Sequence, residues 1–522
     1  MVPLRTQLYA DPAGRFVHDL ILEAADRNPE NTAIVDSSDG SRFTASEYAD
    51  LVDAFARNLV SIAGPGERVA IFLPNCWEFC VAFHGASMAG AVPTPLNPSY
   101  REREVRYQLE NSGASILISD GPLVGSMDLS GLPALRRIYV TRASAGTAAD
   151  SFSSLLRSST KPLRSPTASP EETLAVLPYS SGTTGLPKGV MLSQSNIVTN
   201  VYQLLGALSP LTPQTVALQF LPLYHIYGMN VVMNSVLALG ATLVLMPRWD
   251  MDRAFDLVLR EGVTWMPTVP PIMAACCHAA EEGRFPRDHH ITWVKCGAAP
   301  VPPELSLRFH SLTGIKVLQG YGMTEASPVT HCGFYDEPWY RPQAIGAPVA
   351  LTDCRIVDDN GNDVSPGCPG ELVMRGPQFM TGYWNAPEAT RAVLREGWYW
   401  SGDVATIDGD GFYYIVDRRK EMIKYKGFSV APAEIEAVLL EHPAVRDCGV
   451  VGRSDDAAGE IPCAFVVLRD GRPGSPAIQE ELCAYVSQRL TGYKQPRDVR
   501  FVASIPRNPS GKILRRELRN LL

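Results

Sequence analysis

A run of small and hydroxylated residues closed by a lysine, Tyr179-Ser-Ser-Gly-Thr-Thr-Gly-Leu-Pro-Lys-Gly189, has the plainest chemical meaning in this 522-residue chain. It directly follows a predicted strand at 173–178. Glycines let backbone amides approach phosphate oxygens closely, the Ser and Thr hydroxyls add donors, and Lys188 supplies a point charge. The segment is not a Walker loop, which requires GxxxxGK[ST], because Pro187 precedes the lysine and Gly189 follows it. A flexible Ser/Gly linker would not close on Pro-Lys-Gly between two apolar strands. The loop points to a phosphate-bearing substrate.

The surrounding elements must hold that loop. From about Phe43 to Lys316, apolar runs of strand length alternate with helical patterns. Strands are predicted at 68–73, 115–119, 137–140, 173–178, 217–221, 242–246, 264–266, 291–296 and 316–319, and helices at 45–62, 102–111 and 251–261. Such alternation gives mainly parallel sheets covered on both faces. Residues 143–171, rich in Ser, Thr, Ala and Pro, read as an exposed connection into the loop. After about Gly346, short strands between Gly, Pro, Asp and Asn predict a small β-rich unit. The stretch 419–522 carries its own strand–helix patterns, with helices near 432–442 and 479–490, and a boundary is expected at 417–420.

Composition narrows the class. Hydrophobic content of 45% with 20% charged residues fits a globular protein with a sizeable core. The net charge of −8 comes without any basic block of the kind that tracks nucleic-acid backbones. The apolar stretch 227–246 is interrupted by Asn230, Asn234 and Gly240, so it reads as a buried helix, a turn and a strand rather than a transmembrane segment. Eleven scattered cysteines, with no CxxC pair and no export signal, predict reduced thiols and a cytoplasmic location.

Residues 179–193 resemble the signature loop of the acyl-adenylate-forming (AMP-binding) superfamily, which includes acyl-CoA synthetases, nonribosomal adenylation domains and firefly-type luciferases. Matches continue in family order through LPLYHIYG (221–228), GAAP (297–300), QGYGMTEASP (319–328), YWSGDVA (399–405), DRRKEMIKYKGF (417–428) and PRNPSGKILRREL (506–518). The resemblance implies an α/β fold. A large N-terminal domain (1–417) would hold two doubly wound β/α subdomains and a β-rich subdomain at about 346–417. A smaller, mobile α+β lid would span 418–522. It also implies a two-step reaction. A carboxylate attacks the α-phosphorus of ATP, expelling pyrophosphate, and a thiol, commonly that of CoA, then attacks the acyl-AMP and expels AMP.

By the same resemblance, Ser180, Ser181, Gly182, Thr183, Thr184 and Lys188 hold the ATP phosphates. Glu325 binds Mg²⁺, and Thr324 contacts the α-phosphate. Tyr321 lies on the adenine with Ala298 and Ala299 opposite, and Gln319, Gly320 and Gly322 beside it belong to the same nucleotide-binding stretch. Asp403 and Arg418 take the ribose. Lys512 bridges the carboxylate and the α-phosphate. Lys424 and Gly427, with Glu434 nearby, belong to a second lid face for the CoA step, and Lys420 is the hinge.

His225 stands where the family has a gate over the carboxylate. No Asp lies beside it to pair an α-ammonium, which disfavours an amino acid substrate. The pattern is most similar to the 4-coumarate–CoA ligase branch, by which Tyr227, Asn230, Val231, Lys295, Gly297, Gly320, Pro328 and Val329 line the acyl pocket. Asn230 and Asn234 share a helix face, and they meet either a polar substrate group or neighbouring backbone. Lys295 either reads the acyl tail or snorkels at a strand end. The chain departs from plant members in GELVMRG (370–376) and in Gln194.

The leading expectation is ligation of an aromatic or medium-sized acid to CoA by a monomer or homodimer. The alternatives are an amide synthetase, a carrier-protein ligase, or a silent nucleotide-binding regulator. The last would be expected to lack Lys512 or Glu325, and both are present.

Overall fold

The computed structural model describes residues 7–143, 149–164, 168–180, 186–208, 211–299, 301–425, 428–455, 458–469, 473–490, 492–508 and 511–522. Its first sheet is wholly parallel, in the order Val92–Pro95, Arg68–Phe72, Ile116–Ser119, Arg137–Val140, Asp150–Ser151. Val69 to Phe72 are fully buried, as expected of a strand covered on both faces. The second sheet runs Val216–Gln219, Thr242–Leu245, Thr32–Asp36 in parallel, with Arg42–Thr44 antiparallel at its edge. Helix Trp77–Met88, buried from Phe79 to Ser87, touches strands of both sheets.

Helix Ala45–Leu59 starts where its sequence says it must. The Thr44 side chain accepts from the Glu47 N–H while the Glu47 carboxylate accepts from the Thr44 N–H. The expected strand at 264–266 is reduced to single parallel bridges from Trp265 to Ala217 and Trp293. Those bridges link the second sheet to Trp293–Cys296 and Lys316–Gly322, which pair in parallel before Val329–Cys332 and Ala347–Pro348 turn antiparallel. Alternation also begins earlier than Phe43, with helix Val17–Arg27 and strand Thr32–Asp36.

The β-rich unit is an antiparallel sheet of Asp353–Val357, Gly370–Arg375, Trp398–Ile407, Leu394–Arg395 and Tyr413–Arg418. Beyond it, Ile423–Tyr425, Phe428–Val430, Val445–Asp455, Gly459–Leu468 and Asp498–Phe501 form a sheet with helices Pro432–Leu440 and Pro476–Ser487. Ile423, Ile435, Leu439, Val450, Val466 and Leu482 make a core separate from that of the large domain. The fold is thus a large N-terminal α/β domain plus a smaller C-terminal one.

The apolar stretch after Ile226 folds as a π-helix, Tyr227–Asn234, then helix Ser235–Leu239, a turn at Gly240 (φ 77°) and strand Thr242–Leu245. Among the described residues no helix is long and apolar enough to cross a membrane. The cysteines carry free thiols, most of them buried.

Candidate active site

The two ends of the opening loop meet in a short hairpin. Strand Tyr179–Ser180 pairs antiparallel with Lys188–Ser193, setting Ser180 opposite Lys188 and Tyr179 opposite Gly189. Ser181, Gly182, Thr183 and Thr184 lie outside the described residues. Gly189 is there for space, since a Cβ would come within 3.1 Å of the Leu177 side chain and 3.2 Å of Trp384.

Strand Lys316–Gly322 ends against this hairpin and passes into a 3₁₀ turn, Thr324–Ala326. Glu325 is buried, and its Oε1 accepts from the Ser180 hydroxyl (3.1 Å) and from the Tyr383 hydroxyl (2.8 Å). No Lys or Arg pairs with Glu325 among the described residues. Nor do these residues contain a cluster of three or more His, Cys, Asp or Glu able to cage a metal. One buried carboxylate with an oxygen to spare, next to a phosphate loop, is the donor set Mg²⁺ uses when phosphate oxygens and water supply its other ligands. The residues present fit that ion. Lys188 Nζ stands 5.8 Å from the centre of the Tyr383 ring. Tyr383 was not among the residues expected from the sequence.

Strands Trp398–Ile407 and Tyr413–Arg418 place Asp403 directly opposite Arg418. The Asp403 carboxylate accepts from the Tyr321 hydroxyl (2.5 Å) and pairs with Arg418 Nε (3.2 Å). Burial, reinforced by Asp403, pushes the Tyr321 phenol well above its ordinary range, so it stays a donor. Ala298 holds φ at 67°, a left-handed backbone that costs a non-glycine residue about 1–3 kcal/mol. Exposed Ala298 and half-buried Ala299 follow Gly297, whose Cα side faces the Gly320 carbonyl (3.1 Å from a would-be Cβ). The Gln319 amide donates to the Pro342 carbonyl (2.7 Å), so this side chain braces the strand.

Lys512 reaches this group from the C-terminal domain. Its amine is lowered to about 8, first by burial and then by Arg418, with Asp403 opposing. The turn that carries it is fixed by Asn508, whose Oδ1 accepts from the Lys512 N–H (2.8 Å). It packs on the large domain at Gly511 (φ 83°), where a Cβ would lie 3.1 Å from the Pro271 ring. A second contact crosses between the domains. Asp417, at the end of its strand in the large domain, accepts from the Ala433 N–H (2.9 Å) at the start of helix Pro432–Leu440.

The acyl-side residues also converge. The Tyr227 hydroxyl donates to the Lys295 carbonyl (2.8 Å), and Lys295 Nζ lies over Gly320, 2.6 Å from where a Cβ would stand. Gly322 has no room for a side chain, with the Pro328 carbonyl 2.1 Å from a would-be Cβ. Asn200 grips both backbone groups of Val329, and Val231 is buried on the π-helix. His225 accepts from the Tyr227 N–H at Nδ1 (3.2 Å), which leaves its proton on Nε2, and burial lowers the ring to about 4.

Lys295 is 2% exposed, so it does not snorkel; its Nζ donates to Cys332 Sγ (3.1 Å). Asn230 meets neighbouring backbone: its amide donates to the Ser327 carbonyl (2.5 Å) and accepts from Asn234 (2.8 Å). Asn234 in turn accepts from His84 Nε2 (3.1 Å), and His84 Nδ1 meets the Tyr48 hydroxyl (2.7 Å) and lies 3.1 Å from the Cys80 carbonyl. Burial holds His84 near 4, so a neutral, one-directional chain of donors runs from Tyr48 to the backbone beside Pro328.

The other lid face is turned to different partners. Lys424 is exposed, and its N–H donates to Glu460; Glu434 pairs with Lys494 (2.7 Å). Gly427 lies outside the described residues. On either side of Lys420, Arg419 binds Glu371 and Asp359 (2.6 Å each), and Glu421 binds Arg519.

The ends of the Ser180–Lys188 hairpin, buried Glu325, the Asp403–Arg418 pair and Lys512 of the C-terminal domain thus gather in one region, where a nucleotide-dependent site is expected. Residues 21–384 match the AMP-binding enzyme family and residues 434–512 match the AMP-binding enzyme C-terminal domain. The chain belongs to that family.

It is 39% identical over 513 residues to 4-coumarate–CoA ligase 5 of Oryza sativa subsp. japonica, covering 96% of this chain and 94% of the relative. It is 33% identical to a long-chain-fatty-acid–CoA ligase of Bacillus subtilis (strain 168), covering 97% and 94%. The solved structure of an anthranilate CoA ligase in complex with anthranoyl-AMP superposes with a TM-score of 0.87 at 25% identity, over 98% of both chains. The chain is an AMP-forming acyl-CoA synthetase: it joins a carboxylic acid to CoA at the expense of ATP, through an acyl-AMP.

Proposed function

We propose that the acid is an aromatic or medium-sized carboxylic acid carrying a polar group on its tail, and that the residues gathered between the two domains divide the two half-reactions. The observation that carries the assignment of the acid is Lys295, a buried ammonium whose partner is a thiol, set against Gly320 in the acyl pocket. A buried cation without a carboxylate is costly, and a substrate oxygen at that point relieves the cost.

In the first half-reaction the loop residues Ser180 to Thr184 and Lys188 hold the β- and γ-phosphates. Tyr321, Ala298, Ala299 and the Gly320–Gly322 backbone take the adenine, while Asp403 and Arg418 take the ribose hydroxyls. A carboxylate oxygen forms its bond to the α-phosphorus as the bond to the bridging oxygen of pyrophosphate breaks. Lys512 bridges the two anions, and Thr324 donates to the α-phosphate. Charge that builds on the phosphate oxygens is met by these fixed groups. Mg²⁺, held by Glu325, would neutralise phosphate charge and align the leaving group. His225, neutral with its proton on Nε2, closes over the carboxylate and keeps water out.

The second half-reaction uses the lid (418–522) after rotation about Lys420, which brings Lys424, Gly427 and Glu434 to the site. The CoA thiol, its proton lost, bonds to the acyl carbon, and the acyl–phosphate bond breaks to release AMP. The influence of Arg418 and Asp403 on the Lys512 amine supports assigning Lys512 to the first step.

The test is a panel of carboxylic acids, assayed for pyrophosphate and AMP with and without CoA. Aromatic acids with a distal hydroxyl or second polar group are expected to lead. Preference for plain long-chain fatty acids would overturn the acid assignment.

A further inference from the structure

We propose that Tyr383 is a positioning residue for the phosphate chemistry: its hydroxyl turns the Glu325 carboxylate so that one oxygen faces the cation, and its ring seats the Lys188 ammonium. The proposal rests on the reading of Glu325 as the ligand for Mg²⁺.

Three observations carry it. First, the Tyr383 hydroxyl and the Ser180 hydroxyl both donate to Oε1 of Glu325, at 2.8 and 3.1 Å, which leaves Oε2 for another partner. A glutamate carboxylate, at the end of three rotatable bonds, would otherwise be free to turn. Second, the segment bearing Tyr383 is strapped to both groups it serves. The Met380 N–H donates to the Glu325 carbonyl (2.8 Å), and the Thr381 N–H donates to Met191 (3.1 Å). The Trp384 N–H donates to Gly189 (2.8 Å), next to Lys188. Third, Lys188 Nζ lies 5.8 Å from the ring centre, within the range of a cation–π contact. One side chain thus couples the cation's carboxylate to the lysine of the phosphate loop.

The experiment measures binding, with no acid present, so that ATP is not consumed. ATP is titrated calorimetrically into the full chain with and without Mg²⁺, for the wild type, Tyr383→Phe, Tyr383→Leu and Glu325→Gln, each checked for an unchanged melting temperature. Tyr383→Phe keeps the ring and loses the hydroxyl. It is expected to cut the Mg²⁺-dependent gain in ATP affinity about 10-fold, the scale of one hydrogen bond to a charged group, and to leave Mg²⁺-free binding within about twofold. Tyr383→Leu is expected to weaken Mg²⁺-free binding as well, by about 2- to 5-fold, through the loss of the Lys188 contact.

A wild-type Mg²⁺ gain in Tyr383→Phe, alongside a lost gain in Glu325→Gln, overturns the role of Tyr383 alone. A wild-type gain in Glu325→Gln overturns the reading of Glu325 and this proposal with it. If Tyr383→Leu folds poorly, the Phe variant still decides the hydroxyl's role.

Discussion

Arg419 and Glu421, two residues apart, are anchored to different domains. Arg419 is held by Glu371 and Asp359 of the β-rich unit, and its N–H donates to the Gly402 carbonyl, whereas Glu421 is held by Arg519 of the C-terminal domain. Lys420 is the residue between the two anchors. Rotation about its φ and ψ would move one anchored body against the other without breaking either set of ion pairs, the economy expected of the proposed hinge.

Restricting that residue should separate the half-reactions. Lys420→Pro is expected to leave pyrophosphate release within about threefold of wild type and to slow thioester formation from supplied acyl-AMP by roughly 10²-fold, the cost of a misplaced reacting group. Single-turnover assays of each step, on protein with an unchanged circular dichroism spectrum, make the comparison. Equal losses in both steps would place the hinge elsewhere.

Lys295→Met removes a buried ammonium and keeps the bulk of the side chain. Discrimination between two acids of equal length, one with a distal hydroxyl and one without, should fall by about 10- to 100-fold in kcat/KM, the worth of one hydrogen bond to a charged group. Stability should hold or rise, because no carboxylate is left unpaired by the change. Unchanged discrimination would remove Lys295 from substrate recognition.

The amine of Lys512 is lowered to about 8 by burial and by Arg418, with Arg515 acting in the same direction and Asp403 and Glu421 opposing. The bridging role needs the charged form, which is present below that value and lost above it. The kcat/KM for ATP in the adenylation step should therefore decline as pH rises through about 8, while the CoA step from supplied acyl-AMP lacks this limb. Lys512→Arg keeps a charge at all accessible pH and should flatten the decline. A limb that survives in the Arg variant belongs to another group.

Much of the site was legible because its residues sit in short motifs whose order along the chain is itself informative. Asp403 and Arg418 lie in separate motifs, and the structure sets them opposite each other on paired strands. What was hidden depends on distant partners. Asn230 and Asn234 could be placed on one face, but His84, which meets Asn234, comes from a helix some 150 residues earlier, and the Ser327 carbonyl that Asn230 meets comes from a turn 97 residues later. Tyr383 in Gly-Tyr-Trp looks like a packing residue until strand Gly382–Tyr383 is seen paired with the strand of Lys188. Strand Val92–Pro95 was overlooked because two of its four residues are prolines, which read as turn signals; both are buried in the first sheet. The single bridges at Trp265 show the opposite failing, an apolar run of strand type with little ladder to join.

The central claim is that Lys512 serves acyl-AMP formation and not the transfer to CoA. The direct measurement is a single-turnover comparison of wild type and Lys512→Ala in both half-reactions: pyrophosphate release from ATP and acid, and acyl-CoA formation from supplied acyl-AMP and CoA. Loss of a transition-state charge stabiliser should slow the first by about 10²–10³-fold and leave the second largely intact. An equal fall in both, or none in the first, would contradict the account.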